Sequence, residues 1–170
     1  MKIYVTGISG TGKTTMAKEL EKRGFYAISI DEVPNLCFWI NKKTKKKIEG
    51  EVELNKKFID THDWFCDTEY LKKLINKGSD LVFVFGIASN QNDFLDLFDK
   101  TLLLQCKPET FISRIENRTD NDFGKDKTAQ EKILGFYQNF ENELLEKGAI
   151  SITSEGSVEE VVENIIKQQA

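Results

Sequence analysis

The strongest chemical pattern in the chain is near its start. Gly7-Ile8-Ser9-Gly10-Thr11-Gly12-Lys13-Thr14 is a full G-x-x-x-x-G-K-[ST] run. It lies between an apolar stretch that reads as a strand, Lys2 to Thr6, and one that reads as a helix, Lys13 to Arg23. Glycines there let main-chain N–H groups turn inward around phosphate oxygens, and the following helix N-terminus adds partial positive charge. Lys13 would bring a point charge to the outer phosphates and Thr14 a hydroxyl to Mg²⁺, while Thr15 either packs or touches an inner phosphate. Gly7, Gly10, Thr11, Gly12, Lys13, Thr14 and Thr15 are the expected nucleotide contacts, with ATP and Mg²⁺ as the expected ligands. A glycine turn without a ligand has no need of every fixed position and both flanking elements together.

Asp31 ends the second expected strand, Phe25 to Ile30. A carboxylate at the carboxyl end of a parallel strand points into the ligand crevice, where phosphoryl transfer to a hydroxyl needs a base or a positioning group. Glu32 could share that role, and the alternative for Asp31 is a cap on the next turn. Trp39 and Trp64 are flat rings that either stack on a nucleobase or sugar face or simply pack. His62, the single histidine, is a general base or, more commonly, a structural residue. Lys42 to Lys47 either attracts an anion or forms a solvated turn beside Glu49, Glu51 and Glu53. Ser89-Asn90-Gln91-Asn92 either hydrogen-bonds an acceptor or opens a helix.

The elements that must hold these residues follow from apolar periodicity. After the first helix and second strand, 31–66 reads as an insertion over the core, broken by Pro34 and Asn35, with only loose helical spacing in Leu54, Phe58 and Phe65. Leu71, Leu74 and Ile75 line a helix stopped at Gly78, and Leu81 to Phe85 is an apolar run suited to a central strand covered on both faces. Phe94, Leu95 and Phe98 suggest a short helix, and Thr101 to Cys106 another strand. Pro108 suits the first turn of a helix carrying Phe111, Ile112 and Ile115, with Arg114 and Arg118 one turn apart on it. Thr128 and Glu131 form a capping-box pattern for a long helix striped with Ile133, Tyr137, Phe140 and Leu144. Ala149 to Thr153 is a last strand, and Ser157 with Glu160 caps an amphipathic helix of Val158, Val161, Val162, Ile165 and Ile166. Alternation of strands and helices predicts an α/β fold with a parallel sheet and right-handed crossovers.

Composition narrows the function classes. The 170 residues are 39% hydrophobic and 31% charged, enough for one core and cramped for two. A net charge of -4 and a pI near 5.2 argue against a protein-wide surface for nucleic acid or anionic membrane. No apolar run approaches the roughly 20 residues of a membrane helix, and the N-terminus lacks a signal-peptide pattern, so a cytoplasmic protein is expected. Cys37, Cys66 and Cys106 show no C-x-x-C spacing and read as reduced packing residues.

With these residues in place, the sequence resembles the small P-loop kinases, the group of adenylate, shikimate, gluconate and nucleoside or nucleotide kinases. The order of elements is similar over most of the chain, and the Gly7 to Thr14 motif is its specific part. The resemblance implies a three-layer P-loop NTPase fold: five parallel strands in the order 2-3-1-4-5 with helices on both faces. It implies one domain over residues 1–170, with 31–66 as the acceptor-binding insertion and 119–127, including Asn121, Asp122 and Gly124, as a short lid. In similar kinases an acid at Asp31 contacts the acceptor hydroxyl or magnesium-bound water, which makes Asp31 a candidate for both catalysis and the metal. Arg114 and Arg118 resemble the arginines that clamp the transferring phosphoryl group, and together with Lys13 and Asp31 they form the expected catalytic set. Thr153 to Gly156 matches the segment that passes the adenine edge. Gly86 resembles the glycine turn that faces the acceptor, beside Trp39 and Trp64. A second arginine within the lid is missing, leaving Lys125 and Lys127. No carboxylate follows Leu81 to Phe85, which disfavours a motor-type or AAA-type ATPase.

The resulting expectation is ATP-dependent phosphoryl transfer to a small metabolite, with a nucleoside or nucleotide favoured and nucleic acid not expected as a partner. The alternative is a nucleotide-dependent ATPase or switch that binds a protein or RNA. A shikimate-like acceptor is less favoured, because no arginine occurs between Arg23 and Arg114 to hold a carboxylate.

Overall fold

The computed structural model describes residues 1–77, 80–119 and 122–170. The expected helix stop at Gly78 and the lid residue Asn121 lie outside them. Five strands form one parallel sheet: β1 (Lys2–Thr6), β2 (Tyr26–Ser29), β5 (Val82–Phe85), β6 (Lys100–Gln105) and β7 (Ile150–Thr153). Their order is β2-β5-β1-β6-β7, which is 2-3-1-4-5 when only these five are counted. The kinase-like order expected from the sequence is therefore present. The register places Ile3 opposite Phe83 and Lys100, and Val5 opposite Phe85 and Leu102.

Every residue of β5 is buried, as an uninterrupted apolar run requires when helices cover both faces. Alternation along the strands sends Ile3, Val5, Phe83, Phe85, Leu102 and Leu104 to one side, against Met16, Ala17 and Leu20 of α1 (Lys13–Lys22) and Val161, Val162 and Ile165 of α6 (Val158–Ile166). Tyr4, Ile28, Val82 and Val84 face the other way, onto Leu71, Leu74 and Ile75 of α3 (Thr68–Ile75). A third cluster, Ile8, Phe111, Ile115 and Ile133, sits beside the phosphate loop and joins α4 (Pro108–Asn117) to α5 (Lys127–Glu146).

Pro108 opens α4, and the Ser157–Glu160 capping box starts α6, both as expected. The start of α5 differs. Asp126 is its cap, accepting from the main-chain N–H of Ala129, so Thr128 is already inside the helix. The carboxylate two residues earlier takes the Ala129 N–H and starts the helix there, which leaves the Thr128 pattern nothing to cap. Phe94 to Phe98 forms no regular helix. Two short 3-10 turns, Gln91–Asp93 and Leu95–Leu97, bury Phe94 edge-on against Tyr4 at 5.5 Å.

The insertion is the main departure. Its loose helical spacing resolves into a short helix, α2 (Lys56–Thr61), and an antiparallel ribbon of β3 (Cys37–Asn41) and β4 (His62–Cys66). Cross-strand pairing decides this. Trp39 sits opposite Trp64 and Phe38 opposite Phe65, aromatic pairs that a helix would have separated.

Candidate active site

The carboxyl ends of β1, β2, β5, β6 and β7 lead into Gly7, Asp31, Gly86, Cys106 and Ser154 respectively, so the sheet delivers the candidate residues to one edge. At the centre is the loop from Gly7 to Thr14. Gly12 is the N-cap of α1 at φ 93°, and no side chain caps that helix end. Its first N–H groups are thus left for an outside acceptor, which is the arrangement a phosphate needs. Gly7 and Gly10 are required by close packing. A Cβ on Gly7 would lie 2.6 Å from the Leu104 carbonyl oxygen, and one on Gly10 2.5 Å from that of Phe111. Thr11 is buried and donates to the Ile8 carbonyl at 2.8 Å, bracing the loop from within.

Lys13 folds back over the loop, its Nζ donating to the carbonyls of Gly7 at 2.6 Å and Ile8 at 2.9 Å. Burial pulls its ammonium pKa down to about 8, and the Arg118 charge adds to that, while Asp31 pulls the other way. Thr14 is partly buried next to it, whereas Thr15 is exposed on α1.

Asp31 stands on the turn after β2, where Ile30 N–H bonds to the Phe85 carbonyl. It is open to solvent on its outer side, yet its carboxyl is crowded by the crevice wall. Loss of water raises its pKa above the usual carboxylate range, against the opposing hydrogen bond from Trp64 and the charges of Lys13 and Arg118. The Trp64 indole N–H donates to Asp31 Oδ1 at 2.8 Å. Glu32 turns away to pair with Lys18 of α1 at 2.8 Å and does not join Asp31.

The arginines do not share one helix face as expected. Helix α4 ends at Asn117, and Arg118 is its extended C-cap at φ -69°, ψ 149°. The chain leaves the helix one residue early, and Arg118 Nη1 donates to Ser9 Oγ at 3.2 Å, within the phosphate loop. Arg114 stays on α4 and bridges two segments: Nη2 donates to the Ser154 carbonyl at 2.8 Å and Nη1 to that of Gly10 at 3.5 Å. The Thr153 to Gly156 turn is thereby tied to the loop. In 119–127, Phe123 packs beside Ile115 and Ile133, Gly124 is buried against the same two side chains, and Lys125 pairs with Asp122 at 2.8 Å.

The ribbon presents Trp39 and Trp64 side by side, centroids 5.1 Å apart, with Phe58 of α2 edge-on to Trp39 at 5.3 Å. His62 is committed to structure. Its ring stacks on Phe58 at 4.1 Å, and Nδ1 meets the Phe58 carbonyl and Thr61 Oγ1. Gly86 packs so tightly that a Cβ there would strike Ile30, and its carbonyl accepts from the buried Tyr4 hydroxyl at 3.0 Å. The polar run after it is occupied as well. Ser89 bonds to the Trp64 carbonyl, Asn90 to the Cys66 main chain, Gln91 to Tyr4 and Thr6, and Asn92 to Glu143. Ser89 and Asn90, singled out in the sequence for an acceptor or a helix start, instead hold the ribbon, and the part of Ser9 as the Arg118 partner was missed, since nothing in the local sequence marks partners so distant in the chain.

A family model described as an AAA domain matches residues 3–146. The chain belongs to that AAA-domain family. No curated protein sequence matches the chain. Among solved structures, a deoxyadenosine kinase from M. mycoides, described with the products dCMP and dCDP, aligns at TM-score 0.56 and 18% identity, covering 99% of this chain and 98% of that one. Shikimate kinase from Aquifex aeolicus aligns at TM-score 0.58 and 17% identity, over 99% and 96%. A gluconokinase from Sinorhizobium meliloti aligns at 0.52 and 16%, over 99% and 97%. At these identities the likeness is one of fold, and that fold is the small P-loop kinase fold. Among the described residues, no helix is long and apolar enough to cross a membrane.

Proposed function

We propose that this AAA-domain protein is an ATP-dependent phosphotransferase that moves the γ-phosphoryl group to a hydroxyl of a small acceptor. The observation that carries this reading is the meeting of three charges, Lys13, Asp31 and Arg118, between an uncapped helix N-terminus and an aromatic wall. When bound, Mg-ATP supplies the electrophilic phosphorus and much of the neutralising charge. The residues present fit it: the first-turn N–H groups of α1 and the glycine loop would hold phosphate oxygens, and Thr14 would offer its hydroxyl to the metal. Among the described residues no group of three or more His, Cys, Asp or Glu could hold a metal ion alone, so Thr14 and Asp31 would share that task with phosphates and water.

Asp31 would take the proton from the attacking hydroxyl, a task suited to a carboxylate that loss of water makes more basic than usual. Arg118, reaching across Ser9, would meet charge that develops on the transferring group. Lys13 would exchange its two carbonyl partners for phosphate oxygens. Arg114 would brace the nucleotide side by joining Gly10 to the 153–156 turn.

The acceptor is best read as an uncharged, flat-ringed molecule such as a nucleoside. The insertion contains no arginine. Lys42 is held by the carbonyls of Ile59 and Asp60, and Lys47 sits 4.8 Å over the Phe38 ring, on the ribbon face away from Trp39. That leaves Trp39 and Trp64 as the wall opposite Asp31. ADP release from Mg-ATP, alone and with nucleosides, nucleoside monophosphates, shikimate and gluconate, tests the reading, with Lys13→Ala as the blank. Release that depends on one acceptor class and vanishes in the blank supports it. Equal release without any acceptor would overturn it in favour of a hydrolytic switch.

A further inference from the structure

We infer that Trp64 is a positioning residue: its indole N–H fixes one oxygen of Asp31 and so aims the other at the acceptor hydroxyl. This rests on the phosphotransfer reading above. Asp31 lies on an irregular turn at the crevice rim, where a short side chain would rotate among several positions. The Trp64 N–H, from a residue 33 positions away in the sequence, takes Oδ1 at 2.8 Å. Oδ2 receives no hydrogen bond from the described residues, so it is the oxygen left to meet a substrate.

The donor is itself held rigidly. The Trp64 carbonyl accepts from both the N–H and the hydroxyl of Ser89, at 2.8 and 2.7 Å. Two residues along β4, the side-chain amide of Asn90 takes both the N–H and the carbonyl of Cys66, at 2.9 and 3.0 Å. These bonds stitch the ribbon to the segment that follows the central strand. Bonds from Lys42 N–H to the Thr61 carbonyl and from Asp67 N–H to the Leu36 carbonyl mark Trp39 and Trp64 as a narrow cross-strand pair, and the two rings lie 5.1 Å apart. The indole edge therefore has little freedom to leave Asp31.

The choice of donor also suits the task. An indole N–H is neutral, donates only, and neither takes up nor releases a proton in the working range. A lysine or arginine at the same place would orient the carboxylate equally well but would hold its charge and blunt it as a base. Trp64 can fix the geometry while leaving the carboxylate basic, a different role from the stacking platform its flat ring suggests.

The test uses two substitutions and one signal. Trp64→Phe keeps most of the ring and removes the N–H. It should lower kcat roughly tenfold while leaving the KM for ATP unchanged, the signature of a lost orientation. In an Asp31→Asn background the same change should cost nothing further, because it acts through Asp31. The chain has 2 tryptophans, so their two indole N–H resonances are readily told apart. In Asp31→Asn the Trp64 resonance should move and the Trp39 resonance should stay, a readout that needs neither turnover nor a folded Trp64 variant. A raised acceptor KM with unchanged kcat would make Trp64 a stacking platform instead. Additive losses in the double variant, or an unmoved Trp64 resonance, would equally overturn the assignment. Wild-type protein without acceptor-dependent turnover would remove the phosphotransfer reading itself, an outcome visible before any variant is made.

Discussion

Nucleotide affinity should fall steeply above pH 8, and Lys13 sets both the onset and the slope. Without nucleotide, its ammonium is buried against the Gly7 and Ile8 carbonyls with a pKa of about 8. Bound triphosphate oxygens would hold the same group protonated well above that value, so binding above pH 8 must first take up a proton. The sign follows directly: below pH 8 the lysine is already charged and affinity is flat, and above it affinity falls about tenfold per pH unit. The factor 1 + 10^(pH-8) gives roughly a 1.1-fold loss at pH 7, about twofold at pH 8 and about elevenfold at pH 9, the last close to 1.4 kcal/mol. Calorimetric titration of a non-hydrolysable Mg-ATP analogue, in buffers of different ionisation enthalpy, measures affinity and proton uptake together. Uptake should approach about 0.9 proton per nucleotide at pH 9 and about 0.1 at pH 7. In Lys13→Arg the group cannot deprotonate in this range, so whatever affinity remains should be independent of pH. Constant wild-type affinity from pH 7 to 9 without proton uptake would refute the reasoning, since burial would then not have lowered the pKa. Full affinity in Lys13→Ala would refute it differently, by showing that the lysine never meets phosphate.

Arg114→Ala should weaken nucleotide binding about tenfold by freeing the Ser154 turn from Gly10, and Arg114→Lys should not restore it, since one ammonium cannot span both carbonyls in a fixed fork; calorimetry that finds the lysine variant equal to wild type contradicts the bridge. Gly86→Ala places a Cβ into the Ile30 side chain, an overpacking expected to cost about 1–3 kcal/mol and to lower Tm by several degrees. An unchanged melting curve would mean that β2 yields more easily than the close contact implies. Glu141 is buried on α5, with Oε2 accepting from Gln105 at 2.6 Å and Oε1 without a partner among the described residues. Burial raises its pKa, so the folded state holds a proton that the unfolded state has released, and stability should decline as pH rises from the ordinary carboxylate range through the raised value. Glu141→Gln should accordingly raise Tm at pH 7 and leave it nearly unchanged at pH 4; an equal shift at both would assign the effect to packing.

What the sequence made legible divides along the range of the interactions involved. The phosphate loop was readable because the glycines, Lys13 and Thr14 act within a few residues of one another, between elements whose apolar pattern is strong. The same holds for the sheet. Val82–Phe85 is buried on both faces, and such a strand writes its position into its own composition. The ribbon was illegible for the opposite reason. Residues 37–41 and 62–66 carry short unbroken apolar runs, Cys37 to Ile40 and Trp64 to Cys66, that show neither a strand's alternation nor a helix's spacing, and what makes them strands is the Trp39–Trp64 and Phe38–Phe65 pairing across the intervening segment. The Thr128 cap failed locally, because two acceptable cap residues lay two positions apart and only the packing of Ala129 and Ile133 chooses between them.

The site residues show the same division more sharply. Asp31 could be singled out from its place after a strand, but the partner that orients it comes from the ribbon, which the sequence did not reveal. Arg118 could be singled out by type, but its path to Ser9 depends on α4 stopping at Asn117. Had the helix run one residue further, Arg118 would lie one turn above Arg114 on a common face, directed at the same segment. The early stop separates them: Arg114 holds the Ser154 side of the phosphate loop, and Arg118 reaches Ser9 and the charges of Lys13 and Asp31. Two arginines at an i, i+4 spacing thus divide into a brace and a charge-facing group through a single backbone conformation. Extending α4 through residue 118 should abolish that division while keeping every side chain.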